Sequence, residues 1–123
     1  MANEKIVLSN PTKADIVVYK GDSGRFRITF TAEVGDPPVD ITAATWDGDI
    51  RLKATDLETL TSFDIVPVVG DPASVDVILT ADKSELLPKS SVYDVEMRIG
   101  DEVSTIIYGT VTVHQDVSRP ETP

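Results

Sequence analysis

The chain has 123 residues, which is enough for one domain with one hydrophobic core. It has no cysteine, so disulfides and thiolate metal sites are excluded. Its 21 acidic and 11 basic residues give a formal net charge of −10, which repels phosphate backbones, and we therefore expect no nucleic-acid partner.

No apolar run approaches the roughly 20 residues of a transmembrane helix, and the first ten residues lack the apolar segment of a signal peptide. We therefore expect synthesis in the cytoplasm without export, and no membrane partner. The predicted organisation is one domain over residues 1–123 with a core from about residue 14 to about 117. The first dozen residues and the terminal "SRPETP" are predicted to be flexible arms.

The chain contains seven segments that alternate between apolar and polar residues or are rich in β-branched residues, and each is predicted to be a strand. In chain order they are "ADIVVYK", "RFRITFTAE", "WDGDIRLKA", "FDIVPVV", "SVDVILT", "YDVEMRI" and "STIIYGTVTVH". The clusters "KGDSG", "VGDPPVD", "VGDPA" and "IGDE" supply the Gly, Asp and Pro of the turns between them. The last cluster predicts a tight hairpin between the two final strands.

The period of two assigns one face of each strand to the core. The residues predicted to be buried are Phe26, Ile28, Phe30, Trp46, Ile50, Leu52, Val77, Leu79, Leu86, Tyr93, Val95, Met97, Ile107, Val111 and Val113. The residues predicted to lie on outward faces are Arg27, Arg51, Lys53, Asp94, Glu96 and Arg98.

The segment "TADKSELLPKSS" breaks the alternation and predicts a short helix between two strands. Thr80 can cap the helix, Leu86 and Leu87 can pack it against the core, and Pro88 ends it. Together these elements predict an all-β protein, an immunoglobulin-like antiparallel β-sandwich of about seven strands with one short helical turn. A small barrel is the alternative that the same periodicity permits.

The final strand is unusually long and is followed by a polar tail. Its predicted inward face carries Val103, Thr105, Ile107, Gly109, Val111 and Val113. The outward face carries Ser104, Tyr108, Thr110, Thr112 and His114. So long a strand should offer more backbone groups than a small sandwich pairs internally, and unpaired edges are aggregation hazards. The hypothesis is therefore an intersubunit contact, with Tyr108 as its anchor, Thr110, Thr112 and His114 beside it, and Arg119 pairing with an acid of the neighbour.

Catalytic motifs are not evident. The sole histidine, His114, is predicted to be solvated or in an interface, because a catalytic base needs a partner that the pattern does not supply. Ser23 in "GDSG" matches the letters around a protease nucleophile, but no histidine precedes it, and a turn serine is the simpler interpretation. We therefore predict that the protein is not an enzyme and needs no cofactor.

The "DGD" at Asp47 to Asp49 resembles part of a calcium loop but lacks the remaining ligands. The two acids fall on the solvent face of a predicted strand, so no structural metal site is predicted. A weak cation site at Asp47 and Asp49 stays open.

Three stretches carry a family resemblance: "YKGDSGRFRITF", "VDITAATWDGDIRLKA" and "VILTADKSELLPKSSVYDVEMRIGDEVSTIIYGTVTVHQDVSR". In this order, from Tyr19 to Arg119, they resemble the N-terminal domain of phage baseplate upper proteins and related small tail proteins. Those proteins are longer and carry further domains that reach a receptor-binding protein, so the resemblance favours an assembly role over receptor binding.

The resemblance implies a non-enzymatic virion protein that acts in tail or baseplate assembly. Its partners would be other virion proteins and copies of itself, in a symmetric homo-oligomer. A head decoration or head–tail connector protein is an alternative within the virion. A carbohydrate-binding module is an alternative from another class, and it requires exposed aromatic side chains.

Overall fold

Two β-sheets pack face to face to form the protein. The computed structural model describes residues 11–32 and 34–114. Within these ranges the elements are β1 (Thr12–Lys13), β2 (Ile16–Tyr19), β3 (Gly24–Thr29), β4 (Thr45–Arg51), β5 (Thr61–Ser62), β6 (Asp64–Val68), β7 (Asp71–Leu79), α1 (Ala81–Ser84), β8 (Ser90–Ile99) and β9 (Glu102–His114). The predicted all-β sandwich with one short helix is confirmed.

The larger sheet has the order β1–β9–β8–β4–β5, and β2 also pairs with β9. The smaller sheet has the order β3–β7–β6. Strands β1 and β2 run parallel to β9, whereas the remaining pairs of the two sheets are antiparallel. The N-terminal strands therefore lie against one edge of the C-terminal strand.

The alternation in β8 shows why these segments are strands. Tyr93, Val95 and Met97 are buried, whereas the intervening Asp94 and Glu96 are only half-buried on the opposite face. The buried apolar residues of the described chain are Val18, Ile41, Ile50, Phe63, Val75, Val77, Leu79, Leu87, Tyr93, Val95, Met97, Val111 and Val113. Five predicted core residues pack against them and are half-buried: Phe26, Ile28, Phe30, Trp46 and Ile107.

Two predicted core residues are wrong. Leu52 is 48% exposed, because β4 ends at Arg51 and the alternation does not continue into the loop. Leu86 is 63% exposed, and the next residue, Leu87, is the one that enters the core at 2% exposure. The helix ends at Ser84, so neither helical nor strand periodicity selects between these adjacent leucines.

A β-bulge in β9 changes the predicted faces of its first half. Val95 pairs with Ile107, whereas the following Glu96 pairs with Thr105, so Ile106 is an extra residue in β9. An extra residue moves the residues before it to the opposite face of the sheet. The predicted faces of Val103, Ser104 and Thr105 are therefore wrong. Val103 and Thr105 pair with the outward Arg98 and Glu96, whereas Ser104, which the alternation places outward, pairs with the buried Met97.

The expected unpaired edge of β9 is also absent over its second half. Strand β8 pairs along one side. On the other side, β1 pairs with Ile107 and Tyr108, and β2 pairs with residues 111–114. The backbone N–H of Lys20 extends this pairing by donating to the carbonyl oxygen of His114 at 2.9 Å. Most of the backbone groups in this half of β9 therefore pair within the chain, because β1 and β2, from the N-terminal part of the chain, lie beside it.

The helix contacts the turn between β2 and β3 through Ser84. Its hydroxyl accepts a hydrogen bond from the backbone N–H of Gly21 at 3.0 Å and donates one to the carbonyl oxygen of Ala81 at 3.0 Å. Gly21 lies in the turn before β3 with a φ of 86°, a conformation that favours glycine. Thr80 occupies the predicted N-cap position, but its side chain makes no capping hydrogen bond.

Residues 1–10 and 115–123, which include most of the predicted arms, lie outside the described residues. Within residues 11–32 and 34–114, no helix is long and apolar enough to cross a membrane.

Candidate functional site

Four of the five predicted contact residues, Tyr108, Thr110, Thr112 and His114, lie on the face of the larger sheet that points away from the smaller sheet. We call this face the outer face. Directly paired residues on neighbouring strands share a face. By this register the outer face carries Lys13, Val17, Tyr19, Thr45, Asp47, Asp49, Arg51, Ser62, Ser90, Val92, Asp94, Glu96, Arg98, Val103, Thr105, Tyr108, Thr110, Thr112 and His114.

One part of the outer face, formed by β2 and β9, is aromatic and aliphatic. The ring centroids of Tyr19 and His114 are 5.6 Å apart, and the two residues are direct partners in the parallel register. Val17, paired with Thr112, is 62% exposed, and Tyr19 is 47% exposed. Tyr108 is 41% exposed. We call this part the aromatic half.

The other part, formed by β4 and β8, is acidic. Asp47 pairs directly with Glu96, and Asp49 pairs directly with Asp94. Like charges opposite each other destabilise a strand pair. Arg51 contacts this group, with its Nη2 atom 3.4 Å from the Oδ2 atom of Asp49. We call these four carboxylates the acidic half.

Two carboxyl groups of the acidic half, those of Asp94 and Glu96, have raised pKa values. Burial raises the pKa of Asp94, and the charge of Asp49 raises it further against the opposing effect of Arg51. Burial also raises the pKa of Glu96, with added contributions from Asp94, Asp47 and Asp49. Both carboxyl groups are thus harder to ionise than free ones, because negative charge is concentrated where solvent is partly excluded.

The two halves meet at Tyr108. It pairs with Asp94 across the β8–β9 ladder and with Lys13 in the parallel register of β1. Tyr108, Thr110, Thr112 and His114 share the outer face, as the alternation predicts. Arg119, the fifth predicted contact residue, lies outside the described residues.

The segment between β1 and β2 contacts β8 and β9 beside Tyr108. The hydroxyl of Tyr93 donates a hydrogen bond to the carbonyl oxygen of Ala14 at 2.6 Å, and the backbone N–H of Thr110 donates to Asp15 at 3.1 Å. A side chain at Gly109 would overlap the Ala14 carbonyl oxygen. Burial, followed by the charge of Asp15, raises the pKa of Tyr93 to about 12, so its hydroxyl stays protonated and able to donate.

The outer surface of the smaller sheet has a different charge balance. The Nε and Nη2 atoms of Arg27 donate to the two carboxylate oxygens of Asp76 at 2.8 and 3.2 Å, and Arg25 lies 3.8 Å from the same carboxylate. The hydrogen bonds from Arg27 lower the pKa of Asp76. Asp76 is thus paired with arginine side chains, in contrast to the four carboxylates of the acidic half of the larger sheet.

The structure also places Ser23 and the Asp47–Asp49 pair, the two other motifs that the sequence singles out. Ser23 is exposed in the turn between β2 and β3, as the interpretation of "GDSG" as a turn predicts. Within the described ranges, no group of three or more His, Cys, Asp or Glu residues could hold a metal ion. A weak cation site at Asp47 and Asp49 stays a prediction.

A groove of about 260 Å³ opens between the edge strands β2 and β3. Its lining is mainly apolar and includes Ile16, Val18, Phe26 and Phe63. Asp22 and Arg25 are the charged residues that line it. Ligand sites combine an apolar lining with several converging polar groups, and this groove has few of them.

Sequence reasoning missed the contributions of Tyr19 and Val17 to the outer face. The parallel pairing of β2 with β9 brings them there, and the alternation within a segment does not reveal its partner strand. It also treated Asp94 and Glu96 as ordinary solvent-facing residues, although their position opposite Asp49 and Asp47 concentrates the charge.

Comparison with models of known protein families gives no match, and comparison with curated protein sequences gives no significant match.

Proposed function

We propose that this chain is a non-enzymatic structural subunit of a bacteriophage particle, in the tail or baseplate. In this role it docks onto other virion proteins and onto copies of itself, in a symmetric homo-oligomer. The motif order from Tyr19 to Arg119 supports this proposal, because it resembles that of baseplate upper proteins and small tail proteins. We also propose that the β-sandwich is of the immunoglobulin-like type.

The strand order supports the immunoglobulin-like classification. In that fold, strands C, F and G form one sheet, and strands B, E and D lie together in the other. Here β4, β8 and β9 are neighbours in the larger sheet, and β3, β7 and β6 form the smaller one. The first set matches C, F and G in chain order, and the second matches B, E and D.

The observation that carries the assembly role is the aromatic half of the outer face. Val17 and Tyr19 on β2 and Tyr108 on β9 leave large side chains exposed on the same face of the larger sheet. Exposed apolar patches of this kind are typical of surfaces that bind other macromolecules. Tyrosine is also enriched among the residues that dominate interface energies.

Quantitative mass spectrometry of phage particles tests the assembly role. Particles are purified by density gradient from lysates of a phage that encodes this chain. We expect the chain in a fixed ratio to the other virion proteins, with cross-links between its outer face and a neighbouring subunit. A chain that stays in the soluble fraction while complete particles band without it would contradict the proposal.

A head decoration or connector role places the same contacts on a different part of the particle. Fractionation separates these roles, because tailless heads would retain a head protein and lose a tail protein. Negative-stain images of the two fractions identify heads and tails directly.

Carbohydrate binding is a second candidate with an observation of its own. Tyr19 and Tyr108 are exposed aromatic residues on one sheet face, as stacking on sugar rings requires. Affinity electrophoresis in gels that contain soluble polysaccharides tests this function. Retardation that Tyr108→Ser abolishes would favour it over particle assembly.

A further inference from the structure

The acidic half of the outer face has too few positive charges beside it to balance its carboxylates. Asp47, Asp49, Asp94 and Glu96 occupy four adjoining positions on β4 and β8. Arg51 and Arg98 are the basic residues whose charges act on this group. Like charges directly opposite each other cost stability in a strand pair, so an external cation would lower the free energy of this surface.

The aromatic half adjoins this charge at Tyr108, the direct partner of Asp94. The exposed rings of Tyr19 and Tyr108 and the aliphatic Val17 continue the surface across β9 and β2. A single partner can therefore gain both ion pairing and apolar burial on one sheet face. Apolar burial beside charge pairs is the usual composition of a specific protein interface.

We propose that the outer face docks a cationic protein segment, with lysine or arginine side chains over the acidic half and apolar side chains against Tyr108. The inference rests on the proposed function, because it identifies the neighbour in the particle as a basic polypeptide. The neighbour's charges would relieve the repulsion between Asp49 and Asp94 and between Asp47 and Glu96.

Charge and spacing select this occupant over two others. On the outer face, a second copy of the chain would bring a formal net charge of −10 to an acidic surface, so mutual repulsion disfavours it there. The contacts between copies in the proposed homo-oligomer would therefore use other surfaces. Residues two apart on one strand are separated by about 7 Å, so the four carboxylates are spread over the sheet. Several separate ammonium or guanidinium groups match that spread better than one small ion.

Fluorescence anisotropy with two labelled peptides tests the proposal on the full chain. One probe has about ten residues alternating lysine with leucine, and the other alternates lysine with serine at the same charge. We expect saturable binding of both peptides at low salt, with the lysine–leucine peptide binding more tightly. Raising the salt from about 20 mM to about 200 mM should weaken both, because surface charges are then screened.

Two double variants with the same change in net charge separate a docking surface from general attraction. D94N/E96Q neutralises the outer face, and D36N/E85Q neutralises two exposed acids in loops outside the sheets. We expect D94N/E96Q to weaken peptide binding about fivefold or more and D36N/E85Q to weaken it less than about twofold. Thermal melts check that both variants are folded.

Equal weakening by both variants would overturn the proposal, because net charge alone would then explain the binding. No saturable binding by the wild type, or equal affinity for the two peptides, would overturn it as well. Sedimentation equilibrium of the protein alone tests whether a second copy of the chain binds to the outer face. A dimer that D94N/E96Q dissociates would overturn the proposal, because a second copy would then be the occupant of this face. If purified particles lack the chain, the proposed function is contradicted and the peptide result is unaffected. If particles contain the chain but the peptides do not bind selectively to the outer face, this inference alone is contradicted.

Discussion

Asp49 on β4 and Asp94 on β8 are direct cross-strand partners, so two carboxylates of like charge face each other on the outer face. Asp47 and Glu96, two residues further along each strand, are direct partners in the same way. Partial burial, together with this repulsion, raises the pKa values of Asp94 and Glu96.

The first prediction concerns D94N/E96Q and pH. Between the ordinary pKa of each group, 3.8 for Asp94 and 4.5 for Glu96, and its raised value in the protein, the folded state binds more protons than the unfolded state. The contribution of these groups to the free energy of unfolding therefore decreases as pH rises through that window. We expect the variant to be more stable than the wild type at pH 7 by about 0.5 kcal/mol, the size of a cross-strand charge pair.

Urea unfolding at several pH values measures this difference, which should shrink as the pH falls into the window. The pKa values of Asp71 and Asp76 are lowered, so their contribution to the free energy of unfolding decreases on acidification. This decrease is the same in both proteins and cancels in the comparison. A variant less stable than the wild type at pH 7 would show that these acids are stabilising.

The second prediction concerns the hydrogen bond from Tyr93 to Ala14. Tyr93→Phe retains the packing of the ring against Phe63, whose centroid is 5.5 Å away, but leaves the Ala14 carbonyl oxygen without this donor. We expect a loss of about 1 kcal/mol in the free energy of unfolding. Chemical denaturation measures it, and an unchanged midpoint would mean that water replaces the hydroxyl at no cost.

The third prediction concerns Gly109, where β9 lies close to the segment between β1 and β2. A methyl group at this position would overlap the Ala14 carbonyl oxygen, so Gly109→Ala must displace the segment between β1 and β2. We expect destabilisation by about 1–3 kcal/mol, as for other overpacked sites. Gly24→Ala is the matched control, because an added Cβ meets no atom within 4 Å there. Similar stability of the two variants would contradict the close approach of Ala14 to Gly109.

The fourth prediction compares two adjacent leucines. Leu87→Ala removes a side chain that is 2% exposed and should cost about 2–5 kcal/mol. Leu86→Ala removes one that is 63% exposed and should change stability by no more than about 0.5 kcal/mol. Equal losses would show that both leucines pack against the core.

The alternation predicted the fold class because each sheet buries one face. It correctly separated Tyr93, Val95 and Met97 from Asp94 and Glu96 in β8. It failed at Val103 and Thr105, because a bulge at Ile106 shifts the register without any glycine or proline signal. It also failed at Leu52 and Leu86, which follow the last residues of β4 and α1.

The candidate site could be predicted only in part. The row from Tyr108 to His114 follows from the period of two within one strand. The neighbours of that row depend on which strands pair, and the parallel pairing of β2 with β9 joins residues almost a full chain length apart. Local patterns contain no signal for such a pairing, so Tyr19 and Val17 could not be placed beside His114 and Thr112.

Incorporation of Tyr108→Ser into phage particles tests the central claim most directly. The variant is supplied from a plasmid to a phage that lacks the gene, and its copies per particle are counted by mass spectrometry. Val66→Ser is the control, because Val66 is also 41% exposed but lies in β6 of the smaller sheet. We predict that Tyr108→Ser lowers incorporation about tenfold, as for loss of an interface anchor, while Val66→Ser stays within about twofold of the wild type. Wild-type copy numbers of Tyr108→Ser would contradict the assignment of the outer face as the assembly surface.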